Sequence, residues 1–307
     1  MKKILGKLIV VLIILIVFDK TFGYFFNKYI FVNSGSVNYF LSQKKDVSFI
    51  ILGTSRAKHQ IDPDLLTAIK GKGYNAGVEG VGEDLYNSSL LDIALNNNIK
   101  PQIVLLQTDA GNYLQQQNNK FSQELSSLYP YYDESMILHN YCNSLGYEER
   151  LKLDFEMYKF NGKLYEILFN FITKNSKVVT NNGYAPLNST MDSTIESFSP
   201  PTGDTVNSFD ETKLNALNDI IQLCNHNNIK LYFILPPTFN NYHYRKKDIN
   251  RLISYIHTKS NEKIINMADI KKFPDLENAK NWKDENHLNE IGAAKFSQYL
   301  NDSLRID

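Results

Sequence analysis

The chain is predicted to be an α/β protein, a three-layer sandwich with a mostly parallel central sheet, preceded by an N-terminal transmembrane helix. Three observations predict it. Apolar runs such as Ile103-Val104-Leu105-Leu106 and Leu231-Tyr232-Phe233-Ile234-Leu235 have no polar alternation, as expected of strands buried on both faces. Segments of helical period separate these runs, which is the rhythm of βαβ units with helices on both faces of a parallel sheet. Finally, Leu8 to Phe18 is an unbroken apolar run behind Lys2, Lys3 and Lys7.

That N-terminal run reads as an uncleaved signal anchor over residues 1–26. Extended from Ile4 to Phe26, it has roughly the ~20 residues a bilayer needs, with Lys7, Asp19 and Lys20 near its edges. Asp19 to Phe26 lacks the small-x-small pattern of a cleavage site. The lysines place the N-terminus in the cytoplasm and the rest of the chain outside the cell membrane. Phe22, Tyr24, Phe25, Phe26 and Tyr29 form an aromatic belt, so residues 4 to about 26 are expected to stand apart from the globular core. Residues 27–46 form a juxtamembrane segment, and 47–307 the globular domain.

Within that domain, Val47 to Leu52 reads as the first strand. Asp62-Pro63 starts a predicted helix to about Lys70, with proline in its first turn. Gly73 to Gly77 is a short strand running into a glycine-rich loop. Glu83 to Asn97 is a helix, and Pro101 opens the strand through Leu106. Asp210 to His226 has helical periodicity, with a capping box predicted at Ser208-Phe209-Asp210-Glu211. Lys230 to Leu235 is a strand closed by Pro236-Pro237. Lys246 to Lys259 is a helix, Lys263 to Asn266 a strand, and Asn289 to Leu304 the last helix. The Asn-, Gln-, Ser- and Tyr-rich stretch 113–201 interrupts this order. It holds predicted helices at Tyr147–Lys159 and Leu164–Thr173 and a loop at Asn181–Leu187. It reads as an insertion covering the site, with two ordinary helices and a surface loop as the alternative.

Net charge is zero, so there is no basic excess for nucleic acid. The two cysteines, Cys142 and Cys224, lie far apart and show no metal spacing. A disulfide is one reading. Cys224 falls on the apolar face of a predicted helix, which favours a buried free thiol. No cofactor or metal is expected.

Two short stretches carry the chemistry. Ile50-Ile51-Leu52-Gly53-Thr54-Ser55-Arg56 puts a serine on the turn after a strand, where open α/β sheets bind ligands. Asp284-Glu285-Asn286-His287 puts an acid and a histidine three residues apart, just before a helix. The serine alone reads equally as a helix N-cap, and the histidine alone as structural. Together they supply nucleophile Ser55, base His287 and orienting acid Asp284.

This chain order and the Asp-x-x-His spacing resemble the SGNH (GDSL-like) hydrolase superfamily, whose sandwich is flavodoxin-like. The resemblance implies an oxyanion site made by the Ser55 backbone N–H, a second-block glycine and a third-block asparagine. Asn75 to Gly80 resembles the second block, with Gly80 as its glycine and Gly77 the fallback. The third block departs from the family pattern: Gln107-Thr108-Asp109-Ala110-Gly111-Asn112 leaves Asn112 or Asp109 for that place. Gly-Thr-Ser-Arg replaces Gly-Asp-Ser and looks like the membrane-anchored branch, which includes D-alanyl transfer proteins and alginate O-acetyltransferases. The resemblance implies serine-dependent acyl transfer at the cell surface. It would act on a cell-envelope or exported polysaccharide or another acyl ester, as O-acyltransferase or esterase, with a membrane-bound acyltransferase as candidate partner. The alternative is a non-catalytic accessory protein. Arg56 is a candidate substrate-binding residue, with an ordinary salt bridge as the other reading.

Overall fold

In the computed structural model, three of the apolar runs lie side by side at the centre of one sheet. The structure describes residues 2–31, 36–43, 46–80, 84–114, 125–161, 164–173, 182–191, 208–239 and 242–305. The strands are β1 (Phe49–Leu52), β2 (Gly73–Asn75), β3 (Ile103–Gln107), β4 (Lys230–Leu235) and β5 (Ile264–Asn266). All pair in parallel, in the order β2-β1-β3-β4-β5. The order reverses between β1 and β3, which opens a crevice beyond their C-terminal ends.

Alternate residues of the central strands feed two cores. Ile50, Leu52, Val104, Leu106, Leu231 and Phe233 face one cluster with α4 (Asp84–Asn96), a helix over Glu211–His226 and another over Tyr242–Lys259. Phe49, Ile51, Leu105, Tyr232 and Ile234 face a second with α3 (Ser55–Gln60) and the last helix, Glu290–Leu304. This two-sided burial is what the absence of polar alternation required. Cys142 and Cys224 are buried free thiols rather than a disulfide.

Several expectations fail for long-range reasons. The helix predicted over 62–70 is only a 3-10 turn, Pro63–Leu65. Ala68 N–H is drawn to Asn301 Oδ1, 2.7 Å away on the last helix. The predicted capping box at Ser208 does not form; Asp210 itself caps, accepting from Thr212 and Lys213 N–H. The helix expected over 147–159 stops at Leu153. Beyond it, Glu156 and Met157 N–H donate to the Asp19 carboxylate at 2.8 and 3.0 Å instead of to helical carbonyls.

That last contact corrects the picture of a free-standing anchor. α1 (Lys2–Tyr29), which precedes the short α2 (Ser36–Gln43), continues past residue 26, and its second half is docked on the domain. Besides Asp19, Lys20 pairs with Glu156, and Gly23 lies so close to Glu156 that a Cβ would come within 2.2 Å of it. The Phe26 ring packs at 4.7 Å from Phe160. By contrast Ile4 to Phe18, Lys7 aside, is a bare apolar surface, each large side chain 45–66% exposed. Among the described residues no helix is long and apolar enough to cross a membrane. The uninterrupted run Leu8–Phe18 rises only about 16 Å, against ~30 Å of hydrocarbon.

The 113–201 stretch does not act as one cover. Residues 125–161, with Tyr129, Tyr131, Tyr132, Leu138 and Cys142, are packed into the first core, away from α3. Residues 182–191 instead strap the opposite face, with Tyr184 and Met191 in the second core. Much of the remainder of the stretch, and Asn181 of the predicted loop, lies outside the described residues.

Candidate active site

The turn after β1 is built to turn sharply. Gly53 has φ of +145°, and a Cβ there would lie 2.7–2.9 Å from Gln107 and Ala57. Only glycine lets the strand end this close to β3. Thr54 donates its N–H and hydroxyl to Gln107 Oε1, at 3.0 and 2.9 Å, and its side chain caps α3. Ser55 is therefore the first helical residue, and its N–H lies where a helix supplies no acceptor. Gln60 Nε2, farther along α3, donates to Asn286 O at 2.8 Å and ties this helix to the histidine turn.

On that turn Asp284 does two jobs. Its Oδ1 accepts from Asn286 and His287 N–H at 2.9 Å each, closing the turn. The same carboxylate lies 2.9 and 3.0 Å from His287 Nδ1. Ser55 Oγ is 2.8 Å from His287 Nε2. Burial alone would raise the Asp284 carboxyl, but the Asn286 N–H, the imidazole and the His287 N–H hold it below its usual value. An ionised carboxylate only accepts, so Nδ1 carries the proton and Nε2 is free to accept from Ser55. The histidine and acid side chains are 25% and 45% exposed, within reach of a solute. Asn289 then caps the last helix through Gly292 N–H at 3.2 Å.

The other expected site residues are placed differently. Arg56 is buried, with its guanidinium on the Asp109 carboxylate and on Pro237 O. A cation so engaged is not available to substrate; it locks the segments following β1, β3 and β4 together. Burial lowers the Arg56 value despite Asp109. For Asp109 burial is outweighed by Arg56 and Arg245, which hold the carboxyl down, so the pair stays ionised. Asp109 also accepts from Gly111 N–H, and as a carboxylate it offers an oxyanion no proton. Asn112 sits half-buried on the 3-10 turn Ala110–Tyr113, its carbonyl accepting from Lys213 Nζ. Gly80 has φ of +73° on an open turn, and the Gly77 N–H is taken by Asn75 Oδ1.

Sequence reasoning missed His59. It is buried, with Nδ1 on Ala185 O and Nε2 on Glu79. Its ring lies 6.2 Å from that of His287. It clamps the loop carrying Gly80 and the 182–191 strap to α3. The available signal was its place at i+4 from Ser55, on the same helical face. Arg56 Nε, Gln60 Oε1, Gln107 Nε2 and Thr238 Oγ1 are buried without a partner among the described residues. They belong to the segments that meet around Ser55.

A cavity of 590 Å³ lies elsewhere, lined by Val47, Pro63, Leu66, Gly73 and Asn182. Val47 precedes β1 and Gly73 opens β2, so it belongs to the opposite end of the strands from Ser55. Its polar lining residues Asp46, Asp64, Thr67 and Lys72 form no hydrogen-bonded chain with one another among the described residues, whereas the three groups at Ser55 form a connected relay. A scan of protein-family models finds none that matches this chain, and a search of curated proteins finds no match.

Proposed function

We propose that this chain is a membrane-anchored, SGNH-like protein with a flavodoxin-like sandwich that performs acyl transfer at Ser55. The observation carrying this reading is the unbroken relay Ser55 Oγ–His287 Nε2 and Nδ1–Asp284, at 2.8 and 2.9 Å. In such a relay Ser55 attacks an ester or thioester carbonyl and passes its proton to His287. Asp284 stabilises the imidazolium that forms, and His287 returns the proton to the leaving group. Ser55 and Gly80 N–H are the proposed oxyanion donors, each worth roughly 3 kcal/mol. The second acceptor is water or a hydroxyl of a cell-envelope polysaccharide, with a membrane acyltransferase as partner in the latter case.

Bare residues Ile4–Phe18 support an anchor, with the globular domain outside the cell. Because Asp19 and Lys20 are held by the domain, the embedded part is short. Lys2, Lys3 and Lys7 then reach back to the headgroups, or the bilayer thins to meet them.

A second reading, a non-catalytic accessory fold, is favoured by one observation: Asp109, ion-paired to Arg56, replaces an amide donor after β3. A fluorophosphonate probe separates the two. The enzyme reading expects covalent labelling at Ser55 that Ser55→Ala abolishes and His287→Ala strongly slows. An unlabelled, folded chain that also fails to hydrolyse an activated acyl ester would leave the accessory reading.

A further inference from the structure

The distribution of exposed apolar side chains is uneven. Outside α1, the described residues expose twelve large hydrophobic side chains, and ten of them fall between Met136 and Ile172. They concentrate on two short helices, Tyr147–Leu153 and Leu164–Thr173. On the second, Ile167 is buried in the first core, while Tyr165, Phe169 and Ile172 recur at i, i+4 and i+7 with exposures of 81%, 46% and 76%. The Tyr165 and Phe169 rings stack at 6.1 Å. Tyr147 and Leu151, at i and i+4 of the first helix, are exposed as well, and so is Phe155 just beyond its end. Water-facing stripes of this kind mark a surface that another phase or molecule covers.

The neighbourhood of these stripes identifies what covers them. They flank the segment on which α1 is docked: Glu156 and Met157 on Asp19, and Phe160 on Phe26 and Phe31. Leu164 begins its helix four residues after Phe160, within about 14 Å of chain. α1 leaves this dock as a bare apolar helix at Phe18. Any bilayer that takes up Ile4–Phe18 ends at the dock, against the same stretch of domain that presents the stripes.

Resting on the proposed membrane anchor, we infer that the exposed apolar side chains of residues 147–155 and 164–172 are a second, interfacial membrane contact. The helix Leu164–Thr173 lies in the headgroup plane with Tyr165, Phe169 and Ile172 toward the acyl chains. Its composition suits that depth, since aromatic side chains favour the interface. Acidic and basic residues nearly balance along this stretch, so the contact is apolar and needs no anionic lipid.

The test uses the full chain in phosphatidylcholine vesicles, spin-labelled at one introduced cysteine: Leu12→Cys, Phe169→Cys or the exposed control Lys271→Cys. Cys142 and Cys224 are buried and escape the label. The expected result is that labels at 12 and 169 meet oxygen more readily than a nickel chelate, while the label at 271 shows the reverse. Adding anionic lipid should leave the 169 result unchanged; contact only in anionic vesicles would overturn the apolar mechanism. A lipid-exposed label at 12 with an aqueous label at 169 would overturn this inference and leave the anchor standing. Aqueous labels at both would remove the anchor and this inference together. A label at 169 shielded from both reagents would assign the stripe to a protein partner and overturn the lipid contact.

Discussion

Asp284 determines which way the proton relay runs, because its ionised carboxylate fixes the proton on His287 Nδ1. Asp284→Asn keeps the shape of the turn but offers an N–H where an acceptor is needed. Under the proposed function, kcat on an activated ester should fall about 10³–10⁴-fold, with the fold intact by circular dichroism. Asp284 also contributes to stability. Its folded value lies below its unfolded one, so its contribution is present above the ordinary value near ~4 and is lost as pH falls through the folded value. Asp84 has the opposite sign. Burial pushes it up to about 6, despite donors Tyr113 and Asn87. The folded state then binds the proton more tightly than the unfolded one, and stability falls by up to about 3 kcal/mol as pH rises from ~4 to ~6. Denaturant titrations across that range should show the slope, and Asp84→Asn should flatten it. Asp84 was not legible as a special group in the sequence, and His59 only through its i+4 spacing from Ser55. The bonds that define them reach Tyr113, Glu79 and Ala185, and a separation of 126 positions between His59 and Ala185 gives no local sequence pattern for that bond.

Elements carry a different kind of information. β1, β3 and β4 were legible because burial on both faces removes every polar residue from the middle of the strand. The triad was legible because strand ends, unlike strand middles, concentrate chemistry, and because Asp284 and His287 are local to one turn. What failed were elements ended by distant partners: Asn301 draws out the 62–70 segment, and Asp19 takes the N–H groups that would have continued the helix from Tyr147. The Arg56–Asp109 pair left a usable signal, opposite charges just past the ends of neighbouring strands, where the parallel register brings Leu52 opposite Leu106. Gly53 is where element and site meet. Gly53→Ala places a Cβ against Gln107 and Ala57 at a strained φ, and should cost about 2–3 kcal/mol. Because Gln107 Oε1 holds Thr54, fluorophosphonate labelling of Ser55 should slow as well, even at temperatures where the variant remains folded. Unchanged stability with unchanged labelling would mean the turn relaxes without cost.

At the scale of the whole molecule, helix α1 and the domain form one body through Asp19, Lys20, Gly23 and Phe26. Asp19→Ala removes the acceptor of two backbone N–H groups at once, and should destabilise the dock by about 2 kcal/mol. Limited proteolysis of the full chain should then cut faster between residues 154 and 163, while labelling at Ser55 is retained. Equal cleavage rates would mean that the aromatic contacts alone hold the dock. The dock has a consequence for how such a protein would meet its targets. A domain on a loose tether sweeps a hemisphere, and its reach grows with the length of the leash. This domain has no leash: the helix that would enter the lipid is part of its packing. Its serine would keep a constant height and bearing over the bilayer. Encounters would then depend on drift in two dimensions and on targets presented at that one height, so lengthening the joint after Phe18 should change which acceptors are reached more than how fast each one reacts.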